Sequence, residues 1–481
     1  MNESTFRRIL VVLIILGVLV LVIKSFENGI DDPDTWWHLA AGKYMVENRS
    51  IPHQDIFSWT VAGQPWITHE WLGEVFFYLA YLAGKFWGVL LLILILAAFF
   101  LFFYWKWLSL AKGQYFIAAL TLLVIGELLY PFLEIRPQVL SYLFFVVFLY
   151  VLSLFRQKKD YLLILPFLSV LWANCHGSFP LGPCLIAFFI LCGLKKYEGE
   201  KLENHTWETA QVKKLSLILI LCLAVIIINP NWFNLFLYPL ETIKDNQMTN
   251  NIQEWLSPDF HDLYSQIFLV YYLATFLVLV LTTRKIQLTD LLLYLIFGGL
   301  AFLHGRFLPY ALLISGSLWP VYFQPRLNFK LDLTRLKTAL IPLLLILYGL
   351  VFAFRAPSQT EINYLFTDKN SYPVKATAYL NRHRPEGKMF NDYGWGGYLI
   401  WNRPEEKVFI DGRADVYIKK VFGDYLKITR LKPQALALLQ EYQISYVFMP
   451  ADSPLVCALK ASPRWYVFYE DKTAVILKRK G

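Results

Sequence analysis

Long apolar runs separated by short polar segments make up most of the chain. A helix that crosses a membrane needs about 20 apolar residues, and fewer where neighbouring helices shelter its ends. Runs near residues 9–24, 86–105, 114–131, 138–155, 161–173, 178–194, 215–229, 265–282, 288–303, 307–323 and 338–354 meet that requirement. They predict an all-α polytopic membrane bundle of about eleven transmembrane helices. An odd number puts the two termini on opposite sides. Arg7 and Arg8 precede the first run and no small-residue cleavage site follows it, so it reads as a retained signal anchor.

Two further segments are apolar but too short to span. Residues 35–48 and 69–84 carry polar groups near their starts, Glu70 and Glu74 in the second, and predict juxtamembrane helices lying at the interface. They make the first outer loop, 25–85, long enough to be functional. A second long outer segment, 230–264, is of the size that covers a cavity. These features define a membrane domain over 1–355. From about 356 the pattern becomes that of a water-facing α/β domain, 356–481. Ser371 is placed to cap a helix over 373–383, and Lys432 to Gln443 has helical periodicity. Short β-rich runs stand at Lys388–Asn391, Lys407–Ile410, Ile444–Met449, Trp465–Tyr469 and Ala474–Lys478, with a turn at Asp471-Lys472 between the last two.

Charge turns the span pattern into a topology. The chain has 481 residues, 57% hydrophobic and 17% charged, with a formal net charge of +9. That composition excludes a soluble enzyme, and the location of the basic residues decides what the charge means. One set of alternate segments carries Arg7 and Arg8; Lys106 and Lys112; Arg156, Lys158 and Lys159; Lys195, Lys196, Lys201, Lys213 and Lys214; Arg284 and Lys285; Arg326, Lys330, Arg335 and Lys337. The other inter-span segments, longer in total, carry only Lys24, Lys43, Arg49, Lys85, Arg136, Lys244 and Arg306. This asymmetry predicts a cytoplasmic amino terminus and an extracytoplasmic carboxyl domain, and it assigns the basic charge to membrane topology instead of nucleic acid. Cys175, Cys184, Cys192, Cys222 and Cys457 show no CxxC spacing, which argues against a zinc site or a disulfide framework.

In that topology seven of the eight histidines, His38, His53, His69, His176, His261, His304 and His383, face outward. Several lie near span ends beside Asp32, Asp34, Glu70, Arg136 and Arg306. Ionisable groups at membrane depth are costly, so such a cluster is a site hypothesis; ordinary interfacial polar residues are the alternative. The sharpest feature is Asp31-Asp32-Pro33-Asp34-Thr35-Trp36-Trp37-His38. Asp34 sits at a predicted helix start, where the dipole favours an ionised carboxylate able to accept a proton. The alternative is an acidic first turn with a capping role.

These residues carry a resemblance. An acidic motif after the first span, two juxtamembrane helices in a long outer loop, about ten further spans and an outer α/β domain resemble the C-type integral membrane glycosyltransferases (GT-C). Pro33-Asp34-Thr-Trp-Trp-His-Leu-Ala-Ala-Gly-Lys-Tyr-Met resembles the Pro-Asp-Glu-x-x-Tyr helix start of the mannosyl and aminoarabinose branch, with Thr35 where that branch has Glu. Trp172-Ala-Asn-Cys-His-Gly177, Asn229-Pro-Asn231, Glu254-Trp-Leu-Ser-Pro258, Gly394-Trp-Gly-Gly-Tyr398 and Phe409-Ile-Asp-Gly-Arg-Ala-Asp415 are similar to a broad bacterial membrane-protein group placed beside those transferases.

The resemblance implies transfer of a sugar from a polyprenyl-phosphate donor to an extracytoplasmic glycan, lipid or protein acceptor, at a bacterial inner membrane. It makes Asp34 the catalytic base, oriented by Asp32. Direct displacement by one base inverts the anomeric configuration. Arg136 and Arg306 are candidates for the departing phosphate, with headgroup snorkelling as the alternative. His38, His69, Glu70, His176 and Glu254 are candidates for substrate contacts. Asp411 and Arg413 are candidates for gripping a sugar or phosphate, or else a structural pair; Gly394-Trp-Gly-Gly reads as a backbone bend. No cofactor is expected, and a cation at Asp32 is disfavoured because no fuller carboxylate cage is visible. Two rivals stand: a transporter or flippase of lipid-linked sugars, and a non-catalytic envelope scaffold, which Thr35 in place of Glu keeps open.

Overall fold

The computed structural model describes residues 11–12, 14–20, 22–23, 32–111, 114–324, 372–417 and 420–480. Within them the chain forms two compact units. The first holds the described residues before position 28, Leu90–Ile228 and the described part of Ile252–Ile362; the second holds the described residues of Asn28–Val89, Asn229–Asn251 and Asn363–Gly481.

The first unit is helical. Its elements include Tyr115–Leu129, Gln138–Arg156, Ile164–Cys175, Leu181–Gly193, Thr209–Val225, Leu263–Leu281, Leu288–Leu303 and Leu308–Tyr322, each on an apolar run of the sequence. Four helices of the chain, Trp71–Leu108, Tyr115–Phe132, Gln138–Arg156 and Leu263–Leu281, are long and apolar enough to cross a membrane. The run at 9–24 is described only in part, and the run at 338–354 lies outside the described residues, as does Ser371. Pro and Gly punctuate this unit. Pro137 begins Gln138–Arg156, while Gly316 brings Leu308–Tyr322 so close to the Tyr104 hydroxyl that a Cβ there would lie 2.2 Å from it.

The second unit begins with helix α1 (Asp34–Asn48) and the first part of helix α2 (Trp71–Leu108). Helix α2 breaks at Gly84 and Lys85, where Lys85 takes φ 53° and ψ −144°, a combination strained for any residue with a Cβ. The break separates the juxtamembrane segment from the apolar run that follows. Small residues allow α1 and α2 to touch: a Cβ on Gly42 would lie 2.2 Å from the Glu74 carbonyl oxygen. The segment 230–264 is not a bare loop, since it holds the helices Asn234–Lys244 and Asn246–Thr249.

A four-stranded sheet closes this unit. Its strands are β1 (Lys388–Asn391), β2 (Ile444–Pro450), β3 (Trp465–Glu470) and β4 (Ala474–Arg479), in spatial order β1-β2-β4-β3. β1 pairs parallel with β2, and the other two pairings are antiparallel. Val447, Phe448, Ile476 and Leu477 bury the centre. The carboxylate of Asp471 accepts the backbone N–H groups of Thr473 and Ala474, which sets the turn between β3 and β4. One expected strand is absent. Lys407–Ile410 makes only a single parallel bridge, Val408 to Ser58, because its backbone groups are taken by side chains and by the 57–60 loop, including Phe409 N–H to Asn391 Oδ1 at 2.8 Å and the Phe409 carbonyl to the Thr60 hydroxyl.

Candidate functional site

The candidate residues divide between the two units. Asp32, Asp34, His38, His69, Glu70, Asp411 and Arg413 lie in the second; Arg136, His176, Glu254 and Arg306 lie in the first.

Asp34 is the first residue of α1, and Pro33 occupies the N-cap with no side-chain cap. Asp32 supplies the missing acceptor: its Oδ1 takes the backbone N–H of Asp34 at 3.0 Å. The helix then turns Trp37 back so that its indole N–H donates to Asp34 Oδ1 at 3.0 Å. Two glycine motifs wall this turn. A Cβ on Gly412 would lie 2.0 Å from Asp34 Oδ1, and one on Gly397 would lie 2.6 Å from the Pro33 carbonyl oxygen. Gly396 likewise meets the Ile410 carbonyl at 2.2 Å. The glycines of Gly394-Trp-Gly-Gly are thus explained by close backbone approach at Gly396 and Gly397, with no left-handed φ among them.

Four residues further along α1, His38 is buried against two carboxylates. Its Nδ1 stands 3.1 Å from Glu74 Oε1, and its Nε2 stands 3.5 Å from Glu70 Oε2. Glu70 also meets His69 Nε2 at 3.4 Å, and the His69 ring lies on Tyr238, 4.2 Å between centroids. Burial works against the His69 cation, but Glu70 first and then Asp415 outweigh it and raise its pKa above the ordinary imidazole value. Burial raises the pKa of Asp415, with His69 and Arg413 opposing. Glu74 and Asp415 are not among the candidate site residues read from the sequence. The four-residue spacing of Glu70 and Glu74 places them on one helix face, which was the available signal.

Asp411 and Arg413 are closed to solvent. Arg413 Nε donates to Asp411 Oδ1 at 2.8 Å, and its Nη2 donates at 2.7 Å both to Asp411 Oδ2 and to Asp55 Oδ1. The Tyr417 hydroxyl donates to Asp411 Oδ2 at 2.5 Å. The guanidinium sits over Trp66, 4.5 Å from the ring centroid. Burial opposes its charge, and Asp411 followed by Tyr417 and Asp55 restores it, so its pKa stands well above normal. These side chains bind one another, and nothing in the sequence marked Asp55 as their partner.

In the first unit Arg136 precedes Pro137 at the start of Gln138–Arg156. Arg306 lies in the single turn Gly305–Phe307, and Glu254 in the turn Gln253–Trp255. Those two turns are joined by Gly305 N–H to the Leu256 carbonyl at 2.9 Å and by His304 Nδ1 to the Trp255 carbonyl at 2.6 Å. One carboxylate therefore faces two cations: Glu254 Oε2 lies 3.7 Å from Arg136 Nη1, and Oε1 lies 3.7 Å from Arg306 Nη1. Arg306 also stacks over Trp255 at 4.1 Å. All three side chains are partly exposed, and the spacing suits a group with several anionic oxygens, since Arg presents a planar fork of donors. His176 is instead held in a buried hydroxyl network: its Nδ1 meets Ser178 Oγ at 2.9 Å, and that hydroxyl bonds Ser141 at 2.8 Å.

No family model matches the chain, and no curated protein sequence does. Solved structures do match. The archaeal oligosaccharyltransferase AglB from Archaeoglobus fulgidus, in complex with an inhibitory peptide and a dolichol-phosphate, superposes with a TM-score of 0.58 at 10% identity, over 98% of this chain and 74% of that one. The same enzyme tethered to an acceptor peptide gives 0.59, over 100% and 74%, again at 10% identity. A weaker likeness, TM-score 0.47 at 10% identity over 99% and 98%, is to ArnT from Cupriavidus metallidurans bound to undecaprenyl phosphate. At this identity the fold is what is shared. The chain shares the fold of those oligosaccharyltransferase structures, and it is a helical membrane protein with a small C-terminal sheet.

Proposed function

We propose that the protein is a membrane glycosyltransferase that moves a sugar from a polyprenyl-phosphate donor to an extracytoplasmic acceptor, inverting the anomeric carbon. The observation that carries this reading is Asp34: a carboxylate in the first turn of α1, held by Trp37 and walled by Gly412, in a chain of this fold. The acceptor hydroxyl gives its proton to the Asp34 carboxylate as its oxygen bonds to the anomeric carbon. The bond from that carbon to the phosphate oxygen breaks, and its electron pair leaves with the polyprenyl phosphate. Asp32 fixes the backbone from which Asp34 projects. Within the first unit Arg136 and Arg306 share the Glu254 carboxylate, a pair of cations suited to phosphate oxygens. AglB was solved with a dolichol-phosphate and, separately, with an acceptor peptide, which supports a lipid-linked donor here. The alternation of basic segments supports about eleven spans with the amino terminus inside and the C-terminal domain outside.

The test is sugar release from radiolabelled polyprenyl-phosphate sugars by the purified protein, with a panel of acceptors and Asp34→Asn beside the unaltered chain. Turnover is expected, reduced by roughly 10²–10⁴-fold in the variant. Donor binding without turnover in either protein would sink the transferase reading and favour a carrier of lipid-linked sugars.

A further inference from the structure

We infer that His38, Glu70 and Glu74 form a binding site for a divalent first-row cation, with zinc the best fit, which clamps α1 to the start of α2. Each residue offers one ligand atom, these atoms all lie within 4.8 Å of one another, and all three residues are buried. Its three residues are not the base or the phosphate contacts proposed above, and it would bind metal whether or not the protein transfers sugar.

Two observations carry it. The first is the ligand geometry. Glu70 and Glu74 are four residues apart, with Glu74 N–H bonded to the Glu70 carbonyl at 3.0 Å, so one helical turn points both carboxylates the same way. His38 comes from the other helix, and the contact is close because Gly42, one turn beyond it, has no Cβ to hold off the Glu74 backbone. Ligand atoms ~2.1 Å from zinc stand ~3.4 Å apart in a tetrahedron; one ligand atom from each of the three residues lies within 4.8 Å of the other two, and His38 Nδ1 to Glu74 Oε1 is already 3.1 Å. An imidazole nitrogen with two carboxylates, leaving a fourth position open, is a donor set that zinc accepts.

The second observation is an atom with nothing to bind. Glu74 is 1% exposed, and its Oε2 has no hydrogen-bond partner. A buried carboxylate oxygen left bare is costly. A proton does not resolve this. Placed on Oε2 it finds no acceptor; placed on Oε1 it can be given to His38 and still leaves Oε2 bare. A dication satisfies Oε2 and balances the two neighbouring carboxylates together, which one imidazolium does not.

The experiment uses the full chain in detergent, stripped with chelator, incubated separately with zinc and with manganese chloride, desalted and assayed for bound metal by mass spectrometry. The unaltered protein is expected to retain about one equivalent of one of these metals through desalting. Glu74→Gln and His38→Gln are expected to weaken retention by more than the roughly 10–100-fold that loss of an outer partner costs, while His261→Gln, at an exposed histidine, leaves it unchanged. Thermal unfolding of the unaltered chain gives a readout that needs no variant: added metal raises Tm and chelator lowers it. Failure of the stripped protein to take up either metal, or uptake equal in Glu74→Gln and the unaltered chain, overturns the site.

Discussion

In the first unit, Leu91, Ile95, Phe99 and Phe102 of α2 and Leu263, Val270, Leu273 and Leu277 of Leu263–Leu281 point outward at helical spacing. The second unit does the reverse. Among the described residues, the fully buried Asp, Glu and Arg side chains, Asp55, Glu70, Glu74, Arg403, Asp411, Arg413 and Asp424, all lie there. The buried polar side chains of the first unit are hydroxyls and amides such as Ser141, Asn174, Thr275 and Ser315, together with His176. Its candidate cations, Arg136 and Arg306, stay partly exposed at helix ends. The difference is the one that a lipid surround for the first unit and a watery one for the second would produce. Where lipid is the solvent, an apolar exterior needs no burial, and an ion inside has no nearby water to offset its desolvation. Where water is the solvent, a dense network such as Asp55–Arg413–Asp411 can hold ions inside by bidentate pairing.

The largest expected effect tests the buried network. Arg413→Met leaves Asp55 and Asp411 buried without a cation and is expected to lower stability by about 3–5 kcal/mol. Arg306→Met, at a partly exposed position, should change Tm little and reduce turnover instead. Thermal unfolding and the sugar-release assay read both, and equal loss of stability in the two would remove the contrast between the units. Next comes a matched pair of exposed leucines. Leu91 is 58% exposed in the first unit and Leu436 is 61% exposed in the second. Leu91→Asp is expected to cost roughly 2.5–3.5 kcal/mol of membrane insertion, whereas Leu436→Asp should stay within about 0.5 kcal/mol. The amount of each variant in the membrane fraction measures this, and normal insertion of Leu91→Asp would mean that its face is not against lipid.

Gly412→Ala drives a methyl into the Asp34 carboxylate. It is expected to cost about 1–3 kcal/mol in stability and more in turnover, because the displaced group is the proposed base. A variant of unchanged turnover would argue against Asp34 in that role. The smallest effect is a gain. Lys85→Gly removes the Cβ from a left-handed backbone and should stabilise by about 1 kcal/mol, raising Tm without altering turnover.

Much of the helical plan was legible in advance. The run 35–48 becomes α1, the separation of 69–84 from the following run falls at the Gly84–Lys85 break, and the predicted strand at Ile444–Met449 is β2. These features are local, written in apolar period and length. The Lys407–Ile410 run shows the limit. Its β-rich residues fit a strand, yet its neighbours Asn391, Thr60 and Phe57 occupy its backbone groups, and no local pattern announces that competition. The site was legible only in part. Asp34 and Asp32 are adjacent and sit at a predicted helix start. Arg413 and Asp55 lie 358 positions apart, and Arg136, Glu254 and Arg306 come from three separate segments.

The sequence by itself determined that the chain is a helical membrane protein with a small C-terminal sheet, because hydrophobic run length and strand pattern act along the chain. It also determined that an acidic turn opens α1. Only the tertiary structure decided that Arg413 is held by Asp55 and Asp411, that Glu254 lies against two arginines, that Gly412 walls Asp34, and that His38 meets Glu70 and Glu74. Each of these is a contact between distant segments, set by how close glycine-lined backbones can approach and by which buried charges must find a partner.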